Sequence, residues 1–168
     1  MKVELLPGLP SSGPAAIHCF IEHPTPSSEG VVVKVTELTR PDWIANLQTG
    51  WGYASQIVEW PAASAAIVIV KGAVYLLRGE MPEQWHCCDS LGIECVLAPN
   101  GRSAVISTYE DLLQLDVNGE VMWRRTLAVD GIEIQQVSDE VIRGRYCEDP
   151  PDLWFDFKVS GADGRDVE

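Results

Sequence analysis

Apolar and polar residues alternate at period two along most of the chain, in segments of about five residues that Gly, Pro and Asn keep interrupting. That pattern predicts half-buried β-strands separated by turns. It is clearest from Cys95 to Arg125, where strands are expected over 96–98, 103–108, 112–117 and 121–126. Pro99-Asn100-Gly101, Tyr109-Glu110-Asp111 and Asn118-Gly119 punctuate them. Both residues of Asn118-Gly119 tolerate positive φ, so a two-residue type I′ hairpin is expected there. Within 112–117, alternation places Leu113, Leu115 and Val117 on one packed face, with Gln114, Asp116 and Asn118 on the other.

The pattern recurs. First strands are expected at 2–6, 56–60, 94–98 and 133–137, and second strands at 15–20, 65–70, 103–108 and 140–145. Third strands follow at 31–35, 73–77, 112–117 and 153–159. Trp43, Trp85 and Trp123 lie 42 and 38 residues apart, each near the start of a unit's last strand. At an offset of 42, Leu113, Leu115, Val117 and Gly119 fall on Phe155, Phe157, Val159 and Gly161. Four units of four strands therefore make up one domain over 1–168, with repeats at 1–54, 55–92, 93–131 and 132–168. A forty-residue period with four strands per period is the signature of propeller blades. Only 41–48, which opens with Pro41, predicts a short helix.

The stretch with Pro99-Asn100-Gly101, Leu113-Gln114-Leu115-Asp116 and Gly119-Glu120-Val121-Met122-Trp123 resembles a blade of the β-propeller superfamily, similar to Trp-Asp and quinoprotein-type repeats. The Gly-His and Trp-Asp pairs of a Trp-Asp repeat are missing from their places, so the resemblance names no subfamily. It implies an all-β fold of four antiparallel, four-stranded blade-like repeats, a small or half β-propeller. A closed four-blade ring, an open half-propeller and two chains completing an eight-blade ring all stay open. An open fan would leave apolar faces at both ends, which makes a homodimer one of the expectations.

Charge narrows the class of partner. Lys and Arg number 12 against 25 Asp and Glu, a net of −13. Such a surface repels phosphate backbones and anionic lipid, so neither nucleic acid nor membrane is an expected partner; a basic protein is. No apolar run is long enough for a signal peptide or a membrane span, and Cys19, Cys87, Cys88, Cys95 and Cys147 read as reduced thiols. A cytoplasmic protein is expected.

Residues with catalytic spacing are scarce. His86-Cys87-Cys88-Asp89 is the densest group of metal-ligand types, but adjacent strand residues point to opposite faces, whereas zinc sites space their cysteines. Cys19 with His23 has a chelating spacing and no second pair. No metal, cofactor or catalytic residue is assigned. The recurring tryptophans read as packing between blades; Trp51, Trp60 and Trp154 stand outside the repeat. Trp154 has the opposite parity to Leu153, Phe155 and Phe157 and sits among Glu148, Asp149 and Asp152, which makes these four the expected partner-binding residues. The unrepeated insert from His23 to Gly30 is a second place for specificity. The expected function is a non-enzymatic protein-binding module, concretely an acidic bacterial immunity or antitoxin-type protein masking a basic partner. The alternative is a ligand-binding or hydrolytic propeller with carboxylates in its channel.

Overall fold

The computed structural model describes residues 1–20, 29–38, 40–149 and 153–167. Its elements are β-strands apart from one 3-10 turn, Pro61–Ala63. The chain divides into two compact units, Met1–Ser90 and Leu91–Glu168. Each contains two sheets.

In the first unit, β1 (Lys2–Leu6), β2 (Ile17–Cys19), β3 (Val31–Glu37) and β4 (Arg40–Leu47) form a sheet of order β1-β3-β4-β2. The second sheet is a simple antiparallel meander of β5 (Ser55–Trp60), β6 (Ala65–Val70), β7 (Ala73–Arg78) and β8 (His86–Asp89). Val33, Val35 and Trp43 of one sheet share a buried cluster with Val68, Tyr75 and Leu77 of the other. Trp85 packs against that cluster and tilts over Tyr75, with ring centroids 6.1 Å apart.

The first sheet departs from the expected repeat in two ways. Residues 15–20 and 31–35 do not hold second and third places: β3 is second, β4 third, and β2 lies at the edge, parallel to β4. The apolar strands of a blade look alike in sequence, and the long links 7–16 and 20–30 allow β2 to bypass its neighbours. Asn46 holds it there. This fully buried amide meets the His18 imidazole at 3.1 Å and accepts the Gly30 N–H at 2.8 Å.

The second departure is the expected helix at 41–48, which is β4 instead. Pro41 is tolerated because the register with β3 shifts between Val35 and Glu37, so the proline falls at a bulge where no ladder bond is required of it. Trp43, accordingly, stands on a third strand and not near the start of a last one.

In the second unit, β9 (Gly92–Leu97), β10 (Ser103–Thr108), β11 (Asp111–Asp116) and β12 (Val121–Thr126) form the expected meander. Its Asn118-Gly119 turn differs in type from the expectation. Gly119 N–H donates to Asp116 O at 2.8 Å, and Gly119 alone of the Asn-Gly pair has positive φ, 78°. This is a type I turn closed by a left-handed glycine, not a type I′ turn. The Asp116 carboxylate accounts for it, accepting the Asn118 and Glu120 N–H groups at 2.9 Å each.

The last sheet has three strands among the described residues: β13 (Ile132–Val137), β14 (Val141–Asp149) and β15 (Leu153–Ser160). Gly144, at the centre of β14, lies under the Phe157 ring, whose carbons would stand 2.7 Å from a Cβ at that position. A glycine in a strand interior is here the floor for an aromatic ring. The four sheets are blade-like meanders, the first with its edge strand reversed.

Candidate partner-binding surface

The outer end of the β14–β15 hairpin brings together most of the residues singled out in the sequence. Tyr146 faces Phe155, Cys147 faces Trp154 and Asp149 faces Leu153. Glu148 and Asp149 are exposed; Asp152 lies outside the described residues. Trp154 is half-buried. The Arg145 guanidinium lies 5.4 Å from its ring centroid, and its ring edge packs over the turn at Gly131, 3.7 Å from where a Cβ there would stand. Arg145 is held in turn by the Glu133 carboxylate, whose hydrogen bond raises the guanidinium pKa further.

Strand parity alone places Trp154 outside and Leu153, Phe155 and Phe157 inside. Only Phe157 is buried; Leu153 is 46% and Phe155 40% exposed. A register shift between Cys147 and Asp149 leaves Glu148 as an extra residue in β14, while β15 keeps its alternation and Phe155 its regular pairing with Tyr146. Phe155 is supported from one side by Tyr146, stacked at 5.7 Å with 30° between planes. The surface is therefore an apolar pair, Leu153 and Phe155, beside two exposed carboxylates. Leu153 and Phe155 were legible as aromatic and apolar but carried the wrong face.

Of the Pro/Ser-rich insert from His23 to Gly30, residues 23–28 lie outside the described residues, as does the His23 partner of the Cys19 pair. Cys19 itself is fully buried, and desolvation, reinforced by the Glu83 charge, pushes its thiol up to about 12. Burial likewise raises Cys87, whose thiol donates to the Asp89 carbonyl at 3.2 Å. Cys87 packs towards the core and, by strand alternation, Cys88 points away. Among the described residues no three His, Cys, Asp or Glu side chains gather around a common point that could hold a metal. On the native protein at pH 8, iodoacetamide is expected to label Cys88 first and to leave Cys19 unmodified until unfolding, because thiolate is the reactive form. Peptide mapping after timed labelling checks this, and early alkylation of Cys19 would contradict it.

Two further surface features stand in the first unit. An apolar cleft of about 320 Å³ runs between β1 and β3 on one side and β5 and β6 on the other, with Leu5 and Ile57 at its rim and Ser55 and Val70 among its lining. In the link between β4 and β5, Trp51 is 87% and Tyr53 93% exposed, whereas Trp60 is fully buried.

No protein-family model matches the chain, and no curated protein matches it either. Among solved structures, it is similar to the crystal structure of the N-terminal domain of Nup159, with 12% identity and a TM-score of 0.45. The match covers 84% of this chain and 39% of that one, so the chain spans about two-fifths of its length.

Proposed function

We propose that the chain is a non-enzymatic binding module for a basic protein, engaged through the outer end of the β14–β15 hairpin. The observation that carries this reading is the exposed pair Leu153 and Phe155 standing beside the exposed carboxylates Glu148 and Asp149. Apolar contacts in such a surface supply the lifetime of a complex, and the charges supply the encounter rate. The chain from Leu91 onward carries sixteen carboxylates against seven Lys and Arg, so most of the −13 resides in the unit that holds the hairpin. The concrete form of the proposal is an immunity or antitoxin-type protein that masks a basic partner in the cytoplasm, where its free thiols stay reduced. On the same footing, Pro99-Asn100-Gly101 and Trp123 support reading its repeats as similar to Trp-Asp and quinoprotein-type blades.

The hydrolytic alternative calls for a carboxylic acid held protonated by burial. The displaced carboxylates run the other way. Asp42, Asp163 and Asp166 are lowered, respectively, by the Lys34 ammonium, the Arg165 backbone N–H and the Arg125 guanidinium. These are surface contacts.

The test is kinetic, on the partner captured by the wild-type chain. Phe155→Ala is expected to speed dissociation and cost roughly 2 kcal/mol. Trp154→Ala, which removes the support of Arg145, is expected to act in the same direction. Glu148→Gln with Asp149→Asn should slow association and flatten its salt dependence. Unchanged rate constants in all three would overturn the assignment of this surface.

A further inference from the structure

The sequence Gly50-Trp51-Gly52-Tyr53 sets two large aromatic rings, almost fully exposed, on a backbone that is firmly tied down. Gly50 N–H donates to Val70 O at 3.0 Å and Gly52 N–H to Lys71 O at 2.8 Å, while Ala54 O accepts the Gly72 N–H at 3.1 Å. The loop thus lies flat on the β6–β7 turn. A Cβ on Gly50 would stand 2.5 Å from Ala73 N and 2.6 Å from Lys71 O, so only glycine permits this approach. Preorganised loops lose little entropy on binding, and Trp and Tyr offer large contact area with few rotatable bonds.

We propose that Trp51 and Tyr53 form a docking platform for a proline-rich, extended segment of another protein. This rests on other residues, in the other unit, than the hairpin reading above. Size argues first. Two such side chains bury on the order of 300–500 Å², well short of the roughly 800 Å² per partner of a stable globular interface or dimer. A short linear segment fits. The available chemistry narrows it further. The N–H groups of Gly50 and Gly52 and the Ala54 carbonyl are already bonded, and the two exposed rings are the loop's largest presented surface. The two rings end in donors, the indole N–H and the phenol O–H. Polyproline II has the complementary inventory: apolar ring faces, carbonyls that lack internal partners, and few N–H groups of its own. A saccharide would call for carboxylate or amide groups beside the rings; 49–54 itself contains neither, Gln48 being the nearest before it in the chain.

The unit that carries the platform has nine carboxylates against five Lys and Arg, a mild acidic excess that favours basic residues next to the prolines. Ser55 follows Tyr53 by two residues, at most about 7 Å away. With Val70 it lines the apolar cleft, which places a receptor for an aliphatic side chain next to the platform.

The experiment uses the full chain and an array of synthetic dodecapeptides with Pro-x-x-Pro registers, with and without flanking arginine, against Gly/Ser dodecapeptides of equal charge. Anisotropy of the strongest fluorescein-labelled peptide gives the affinity. Saturable binding is expected, weakened at least roughly tenfold by Trp51→Ala or Tyr53→Ala and less by Tyr53→Phe, which keeps the ring and loses the donor. Leu38→Ala, another exposed apolar residue, should leave it unchanged, and thermal unfolding of all variants should match the wild type. Proline peptides that bind no better than the controls, or that bind Trp51→Ala as well as the wild type, overturn the proposal. So does saturable binding of maltohexaose that Trp51→Ala abolishes, or a dimer in sedimentation velocity that the same change dissolves. Hairpin variants are absent from the design, so its failure leaves the reading of Phe155 and Leu153 untouched.

Discussion

Trp123→Ala is expected to cost about 3–5 kcal/mol of stability, the range for truncating a buried tryptophan. The indole is 9% exposed and packs with Val105, Leu112, Ile142, Phe157 and Val159 in the core of the second unit. Two details place this residue at the upper end. Its Nε1–H donates to Gly161 O at 3.3 Å, a buried carbonyl partner that alanine would leave without its bond. One face of the ring lies against Gly164, held at φ 70°, and the nearest ring carbon would stand only 2.6 Å from a Cβ there. The tail after β15 is thus folded onto the indole. Arg125 adds to this closure, donating to Gly164 O at 3.0 Å and to the Asp166 carboxylate at 2.8 Å. Urea unfolding followed by far-ultraviolet circular dichroism measures the loss. A cost below about 1 kcal/mol would mean that the site collapses around the missing ring.

Leu115→Ala is expected to cost about 2–5 kcal/mol, as a fully buried leucine on the middle of β11. Its neighbour gives the more informative result. Alternation alone makes Gln114 a solvent-side residue whose replacement costs little. In the structure Gln114 is 6% exposed and its Nε2 donates to Ser103 Oγ at 2.6 Å. Cross-strand pairing sets it beside Val105 and Trp123, whose face is covered by the last sheet. Gln114→Ala should therefore cost about 1–3 kcal/mol, the penalty for stranding a buried hydroxyl. The same denaturation series reads both variants, and a neutral Gln114→Ala would return that side chain to the surface.

Gln114 also shows where the sequence stops speaking. Strand positions were legible because period-two alternation and turn glycines are local signals, and β5, β6, β10, β12 and β15 lie where those signals put them. Which face is buried is not local. A sheet packed on both sides hides polar residues such as Gln114 and Asn46 among apolar ones, and only their hydrogen bonds reveal that they belong inside. At the candidate surface, Glu148, Asp149 and Trp154 could be grouped because they are close in the chain. Leu153 and Phe155 share the parity of the buried Phe157, and their exposure depends on what covers that end of β15, which no residue pattern announces. Trp51 could be noticed as unrepeated, yet its presentation depends on bonds to residues 70 and 71 across the sheet.

The reversed edge strand has a consequence for how the molecule is made. In the other three sheets each strand after the first meets a partner already synthesised as it leaves the ribosome. In the first sheet β1 must wait for β3, and β2 for the strand beyond that. The ladder partner of β2, β4, emerges 28 residues later, Leu47 following Cys19, a wait of roughly 1–6 s at ordinary translation rates. Until then Cys19 and Ile17 are bare apolar side chains on a nascent strand. The β3–β4 hairpin must close before they have anywhere to go.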